Sequence, residues 1–144
     1  MHSIQDGQAD RREAPEGDII SHIAAFFDRR IAALTEAGVV RERIVLDPGM
    51  GFFLGSAPET SFAALARFGE LKTRFGLPVL LSVSRKSFLR AAVGRGPGEA
   101  GAATLAAELA ASQAGADYIR THEPAPLCDG LKVLAALKDS ARKR

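Results

Sequence analysis

The chain has 144 residues, 19 of them basic and 17 acidic, and its formal charge is +2. This length suits a single domain, and 47% hydrophobic with 25% charged residues exclude an intrinsically disordered chain. One cysteine, interleaved charges and no apolar run of about 18 residues predict a cytoplasmic protein without disulfides that binds neither membrane nor nucleic acid.

The first third of the chain predicts a loop, a helix and a strand. Residues 1–17 are rich in turn formers and carry no apolar period, which is typical of a loop. Apolar residues then recur at steps of three and four, which predicts an amphipathic helix that Asp18 caps and Gly38 ends. The run Arg43–Asp47 follows as a short strand, and Pro48 stops it.

The same order recurs along the rest of the chain. Loop 49–58 precedes a helix closed by Gly76, and the strand Pro78–Ser84 follows. A second glycine-rich loop, 94–101, opens an alanine-rich helix that reaches Gly115. The third strand is Ala116–Thr121, and the closing helix carries its leucines at helical spacing, Leu127, Leu131, Leu134 and Leu137.

Apolar strands that alternate with helices indicate the α/β class with a parallel sheet. The sequence predicts about three parallel strands and four helices, and the strands begin near residues 43, 78 and 116. No linker or repeat divides the chain, so residues 1–144 are expected to form part of one domain.

Polar side chains follow each predicted strand. They are Asp47 after the first, Ser84, Arg85, Lys86 and Ser87 after the second, and Arg120 and His122 after the third. The carboxyl ends of parallel strands meet at one rim, where ligands of α/β folds bind. A rim with several cations, hydroxyls and neighbouring glycine loops favours an anionic ligand such as phosphate or pyrophosphate.

Each of these residues also has a plainer interpretation. Asp47 before Pro-Gly is a common turn former, Arg85 and Lys86 suit a solvated loop, and Arg120 is in reach of Glu123. The coincidence of three charged strand ends favours a site. The glycine loops match neither nucleotide-binding fingerprint, and no group of residues has the spacing of a metal site held by protein alone.

Three motifs resemble dihydropteroate synthase: Asp47-Pro-Gly-Met-Gly-Phe-Phe53, Ser84-Arg-Lys-Ser-Phe88 and Arg120-Thr-His122. The resemblance implies a (β/α)₈ barrel, of which this chain is the C-terminal half. It implies the condensation of 6-hydroxymethyl-7,8-dihydropterin pyrophosphate with p-aminobenzoate to give 7,8-dihydropteroate and pyrophosphate, in folate biosynthesis. It also implies that Mg²⁺ helps to hold the pyrophosphate, bound mainly with the absent N-terminal half.

The resemblance assigns roles to five residues around the pterin. Asp47 would accept hydrogen bonds from the pterin ring, and Lys86 would contact the ring and line the site of attack. Arg120 would lie against the pterin face and, with His122, hold the pyrophosphate. Met1 would pack against the pterin.

The p-aminobenzoate pocket would be bordered by Ser87 and Phe52. Phe53 departs from the common family pattern, which has glycine there, and looks like the mobile sulfonamide-resistant branch of the family. An added aromatic ring beside this pocket would exclude a bulky sulfonamide and admit the smaller substrate. The alternative is that Phe53 only packs the loop.

A complete (β/α)₈ barrel takes about 250 residues, so the resemblance implies that the N-terminal half is missing. Alone, the chain is expected to be unstable or oligomeric and nearly inactive, because a partial sheet exposes its edges. The complete enzyme is expected to be a homodimer. Two other interpretations stay open: a non-catalytic fragment that binds pterin or phosphate, and a related pterin-binding methyltransferase domain.

Overall fold

The computed structural model describes residues 1–4, 16–96 and 98–142. The predicted loop at residues 5–15, Pro97 of the second glycine-rich loop and the last two residues lie outside this description. Within it, six helices surround a short sheet: α1 Ile19–Glu36, α2 Pro58–Arg67, α3 Gly69–Phe75, α4 Ser87–Val93, α5 Gly101–Gln113 and α6 Pro124–Arg142. No helix among these residues is long and apolar enough to cross a membrane.

The sheet pairs β1 (Leu80–Leu81) with β2 (Tyr118–Ile119) in parallel, with Leu80 opposite Tyr118. On the other side of this strand, Leu46 forms a single parallel bridge with Val79. The three predicted strand regions therefore lie side by side in the predicted direction, and the α/β class is confirmed.

The strands are shorter than predicted. The predicted strand Arg43–Asp47 is wrong at its start, because Arg41–Arg43 forms a 3-10 turn and only Leu46 is bridged. Pro48 then ends the pairing, since proline has no N–H for a ladder. On the other side of this segment, the N–H of His2 donates to the carbonyl of Asp47 at 2.7 Å, so the N-terminal residues lie against it.

The helix prediction was right about α1 and incomplete in the middle of the chain. Asp18 caps α1 through its Oδ2, which accepts from the N–H of Ser21 at 2.9 Å, and Gly38 follows with φ +88°. The predicted single helix up to Gly76 is two helices, α2 and α3, that meet at Phe68. Helix α4 was missed, because seven residues are too few to show a helical period.

The hydrophobic core lies between the sheet and helices α1 to α5. Alternate strand residues face it, and Leu46, Val79, Leu81 and Val83 are fully buried. Aromatic rings fill the space behind them; the Phe27 and Phe75 centroids are 5.8 Å apart, edge to face. On the opposite side of the sheet Tyr118 is 52% exposed.

Candidate functional site

An open pocket of about 500 Å³ lies where β1 and β2 end. Its lining comes from both strand ends: Ser82, Ser84, Arg85, Lys86, Arg120, Thr121 and His122. The structure thus brings together Lys86, Arg120 and His122, which the sequence placed on one rim. Cations and hydroxyls line this pocket and no carboxylate does, so its chemistry suits an anion.

Two buried serines orient the basic side chains of the neighbouring strand. The Oγ of Ser82 accepts from Nε of Arg120 at 3.2 Å. The Oγ of Ser84 accepts from the N–H of His122 at 3.2 Å and lies 2.9 Å from its Nδ1. Ser82 and Ser84 follow β1 two residues apart, and both hydroxyls contact residues that follow β2. The contact with Ser82 uses Nε of Arg120 and leaves its two terminal nitrogens for other acceptors.

Arg85 and Arg120 differ in their partners. The guanidinium of Arg85 contacts Glu123, with its Nη2 2.9 Å from Oε1. The alternative pairing of Arg120 with Glu123 is therefore wrong. Among the described residues Arg120 forms no ion pair, so its charge is available to a bound anion.

Lys86 stands at the start of α4, partly buried between two loops. Its Nζ lies 5.1 Å from the centroid of the Phe53 ring, a cation–π contact. A Cβ at Gly51 would come within 3.3 Å of the Lys86 side chain, so the glycine leaves room for it. Burial and the positive charge of Arg120 lower the pKa of the Lys86 ammonium, and the charge of Asp47 opposes them.

Helix α5 supports the floor of the pocket with two polar residues one turn apart. The hydroxyl of Thr104 accepts from the N–H of Arg85 at 3.1 Å, where Arg85 has the strained φ of +57°. Glu108 is only 1% exposed, and its Oε1 has no hydrogen-bond partner among the described residues. Burial raises the pKa of Glu108. The sequence analysis missed both residues, although a Thr and a Glu at i,i+4 in an alanine-rich helix were a signal.

Asp47 and Met1 lie outside the pocket lining. Oδ1 of Asp47 accepts from the N–H of Gly49 at 2.9 Å, which is the turn-forming contact that its sequence context also suggested. Its charge still acts on Lys86. Met1 is exposed and lines a small cavity with α1 and the segment around Leu46.

A second pocket, of about 460 Å³, lies between the 51–58 loop and α4. Phe52 and Ser87, the two predicted p-aminobenzoate neighbours, both line it, together with Ser56, Pro58, Phe88, Arg90, Ala91, Gly94 and Arg95. Phe53 does not line it. The two pockets adjoin, because Lys86 lines the first pocket and the next residue, Ser87, lines the second.

The described residues do not fit a magnesium site held by protein alone. Mg²⁺ prefers carboxylate and other oxygen ligands in octahedral geometry. Among the residues described, no group of three or more His, Cys, Asp or Glu side chains lies close enough to hold a metal. The lining of the first pocket is cationic, which does not suit a bare metal ion.

Known proteins resemble this chain in sequence and in fold. The profile of the pterin binding enzyme family matches residues 1–122. A dihydropteroate synthase type-2 of Escherichia coli is 78% identical over 144 residues, which are all of this chain and 53% of that protein. The crystal structure of dihydropteroate synthase from Stenotrophomonas maltophilia, with imidazole bound in its active site, superposes with a TM-score of 0.87 at 30% identity over 95% of this chain and 51% of that one.

A further solved structure contains a bound pterin compound. Dihydropteroate synthase from Xanthomonas albilineans, in complex with 7,8-dihydropteroate, superposes with a TM-score of 0.80 at 33% identity, over 88% of this chain and 48% of that one. The present chain spans about half the length of the relatives it matches. These likenesses confirm the predicted part of a (β/α)₈ barrel, and the chain belongs to the family of pterin binding enzymes.

Proposed function

We propose that this chain forms the C-terminal, pyrophosphate-binding part of a dihydropteroate synthase of the sulfonamide-insensitive type. The observation that carries the proposal is the pocket where Lys86, Arg120 and His122 meet without a lining carboxylate. The relatives support the same reaction, since the type-2 enzyme is 78% identical and the Xanthomonas albilineans enzyme holds 7,8-dihydropteroate.

In this reaction, the bond between the pterin methylene carbon and the pyrophosphate oxygen breaks, and the amine of p-aminobenzoate forms the new C–N bond. The amine nitrogen then loses its proton. Negative charge gathers on the departing oxygen, so fixed cations beside it lower the barrier. Arg120 is oriented by Ser82 and is paired with no carboxylate of the described residues, so it is placed to bind that group together with His122.

Lys86 connects the two pockets and would act where the new bond forms. Its lowered pKa and its contact with the Phe53 ring describe an ammonium group in a partly dry site. Such a group holds the pterin more strongly than a solvated lysine would. Asp47 would supply the acceptor for the pterin ring, with its carboxylate fixed by the N–H of Gly49. Holding the pterin methylene carbon and the amine of p-aminobenzoate in line would lower the barrier, because the two groups then need no further ordering to react.

Activity would need the rest of the barrel. The paired strands of the described chain are two residues long, and one side of the sheet is exposed at Tyr118. The remaining strands would cover that side and supply further pterin contacts and ligands for magnesium. A homodimer of the complete enzyme remains a prediction.

The experiment is an assay for 7,8-dihydropteroate with this chain alone and with an extended protein. The extended protein is this chain preceded by the N-terminal half of a full-length relative. We expect product only from the extended protein, and Arg120→Gln should reduce its kcat/KM at least about tenfold, because a charge-assisted contact is lost. Arg74→Gln, which removes an exposed ion pair with Asp28, is the matched control.

Product from the short chain would overturn the proposal that the rest of the barrel is needed. No product from either protein, with pyrophosphate still bound by the short chain, would favour the non-catalytic alternative. That alternative is a pterin- or phosphate-binding fragment.

A further inference from the structure

Among the basic residues that line the first pocket, Arg85 is paired with a carboxylate. Its Nε and Nη2 donate to the same oxygen, Oε1 of Glu123, at 3.2 and 2.9 Å. Glu123 does not line the pocket, but it directly follows His122, which does. This ion pair has no role in the proposed function, in which Lys86, Arg120 and His122 surround the anion.

The backbone of Arg85 is strained. Its φ is +57°, and no other non-glycine residue that the structure describes has a positive φ. It stands third in a turn that the N–H of Lys86 closes on the carbonyl of Val83 at 3.2 Å, where a positive φ favours glycine. The Thr104 hydroxyl holds this conformation, since it accepts the N–H of Arg85 at 3.1 Å. Such strain is found mostly at functional sites, which indicates a role for the guanidinium.

The ion pair is weak enough for a bound anion to replace. The side chains of Arg85 and Glu123 are 49% and 36% exposed, and exposed pairs add little net stability. Both guanidinium contacts use one carboxylate oxygen, so the pair lacks the two parallel hydrogen bonds of the stronger arrangement. Pyrophosphate carries more charge and more acceptor oxygens than a carboxylate, so it attracts the same guanidinium more strongly.

Glu123 keeps a favourable position when the pair opens. It directly precedes Pro124, the first residue of the 19-residue helix α6, and the positive end of the helix dipole stabilises a carboxylate there. Its backbone is held in place, because its N–H donates to the Thr121 hydroxyl at 3.1 Å and its carbonyl accepts from the N–H of Leu127 at 3.5 Å. The exchange therefore needs only a rotation of the Glu123 side chain.

Resting on the proposed function for the identity of the anion, we propose that Glu123 is a positioning residue that competes with pyrophosphate for Arg85. In the free pocket, the Glu123 carboxylate holds the guanidinium and neutralises it. A bound pyrophosphate group displaces the carboxylate, and Arg85 becomes a further cation of the site. Since Arg85 is free for only a fraction of the time, the apparent affinity for pyrophosphate is reduced by that fraction, which favours release of this product.

The test is a double-mutant cycle on this chain, with pyrophosphate affinity measured by titration calorimetry. Glu123→Gln removes the competing charge and should bind pyrophosphate at least about threefold more tightly than the unmodified chain. Arg85→Gln should bind it more weakly. The double variant should bind like Arg85→Gln, because the gain needs the freed guanidinium. The control Asp129→Asn removes one negative charge from an exposed ion pair with Lys132 on α6, and it should bind like the unmodified chain.

An equal gain from Glu123→Gln with and without Arg85 would overturn the inference, because the effect would then come from net charge alone. Unchanged affinity in Glu123→Gln would also overturn it, as would no binding of pyrophosphate by the unmodified chain and by Glu123→Gln. Circular dichroism reports whether each variant is folded. Arg85→Lys gives a second cycle, in which the gain should be smaller because the forked donor is lost.

The outcome is separable from that of the proposed function. If the extended protein forms product and Glu123→Gln does not strengthen inhibition by pyrophosphate, this inference alone is refuted. If Glu123→Gln and Arg85→Gln are coupled on this chain and the extended protein forms no product, the proposed reaction alone is refuted.

Discussion

The hydroxyl oxygen of Ser84 contacts His122 twice, at 3.2 Å from its backbone nitrogen and at 2.9 Å from Nδ1 of its ring. The first contact joins Ser84, at the end of the second strand region, to His122, which follows the third strand region. The second fixes the imidazole, and it holds for either tautomer because a hydroxyl both donates and accepts. One small side chain therefore sets the position of a basic group that lines the anion pocket.

Replacing Ser84 with alanine removes both contacts and leaves a backbone N–H with no partner. We expect pyrophosphate to bind about three- to tenfold more weakly, because each lost hydrogen bond is worth about 0.5–1.5 kcal/mol. Titration calorimetry on the chain checks this. Ser140→Ala, in the exposed last part of α6, is the control and should bind like the unmodified chain. Unchanged affinity in Ser84→Ala would mean that His122 takes no part in holding the anion.

Much of this pocket could be predicted from the sequence, because local signals coincide with it. Apolar runs located the strand regions, and the polar residues directly after them, such as Lys86 and Arg120, line one pocket. The same local logic located the cap at Asp18, whose carboxylate accepts the N–H three residues on. Both predictions depend only on chain direction and on hydrogen bonds between near neighbours.

The missed residues depend on contacts between distant parts of the chain. Glu108 lies in α5, and its position under the strand ends follows from helix packing that no short pattern encodes. Arg90 lies in α4, a helix too short to predict. Asp47 was expected at the pocket, but it does not line it, and one of its carboxylate oxygens accepts the turn hydrogen bond from Gly49. A motif identifies residue types, and tertiary packing decides which of them line a cavity.

Because of Glu108, the free energy of unfolding should fall as the pH rises above the ordinary pKa of a glutamate. Burial raises its pKa in the folded chain, so folding favours the protonated form. Its contribution to stability is complete below the unfolded pKa, about 4.5, and is lost as the pH rises through the higher folded pKa. Glu108→Gln cannot ionise, and its free energy of unfolding should depend less on pH across this range.

Urea denaturation of both proteins at several pH values measures this difference. Glu36→Gln, at the exposed end of α1, is the control and should follow the unmodified chain. If Glu108→Gln keeps the same pH dependence as the unmodified chain, Glu108 is ionised in the fold without penalty, which contradicts its burial.

His2 has the opposite effect on the pH dependence of stability, because it destabilises the fold as the pH falls. Its ring is fully buried, packs against His22 and Phe26, and has Nδ1 2.9 Å from the carbonyl oxygen of Pro48. Burial lowers the pKa of His2 from 6.5 to about 4, and the neighbouring His22 and N-terminal charges add to the shift. Since the folded pKa is depressed, the contribution is complete above pH 6.5 and is lost as the pH falls toward 4.

We therefore expect the unfolding free energy to drop by on the order of 3 kcal/mol between pH 6.5 and 4 on account of His2. His2→Phe keeps the ring packing and loses the contact with Pro48, so it should be about 1 kcal/mol less stable at neutral pH. It should lack the loss at low pH. Denaturant midpoints of the unmodified chain and of His2→Phe, measured at the same pH values, test this. If both proteins lose the same unfolding free energy in acid, groups other than His2 cause the loss.

Phe53 lies beside Lys86 with its ring over the ammonium, and it stays outside the pocket that Phe52 and Ser87 line. Its ring thus stands next to the junction of the two pockets, where a sulfonamide bulkier than p-aminobenzoate would project. In the extended protein, Phe53→Gly should lower the sulfonamide inhibition constant at least about tenfold, a free-energy change of about 1.4 kcal/mol. The KM for p-aminobenzoate should change much less.

Phe53→Leu separates steric exclusion of the sulfonamide from packing of the 51–58 loop, because leucine keeps an apolar side chain and removes the aromatic ring. We expect an inhibition constant between those of the unmodified protein and Phe53→Gly. Both values come from product formation measured at a series of sulfonamide concentrations. If Phe53→Gly leaves the inhibition constant unchanged while its melting temperature falls, the ring serves only to pack the 51–58 loop, and the proposed exclusion of sulfonamides by Phe53 is wrong.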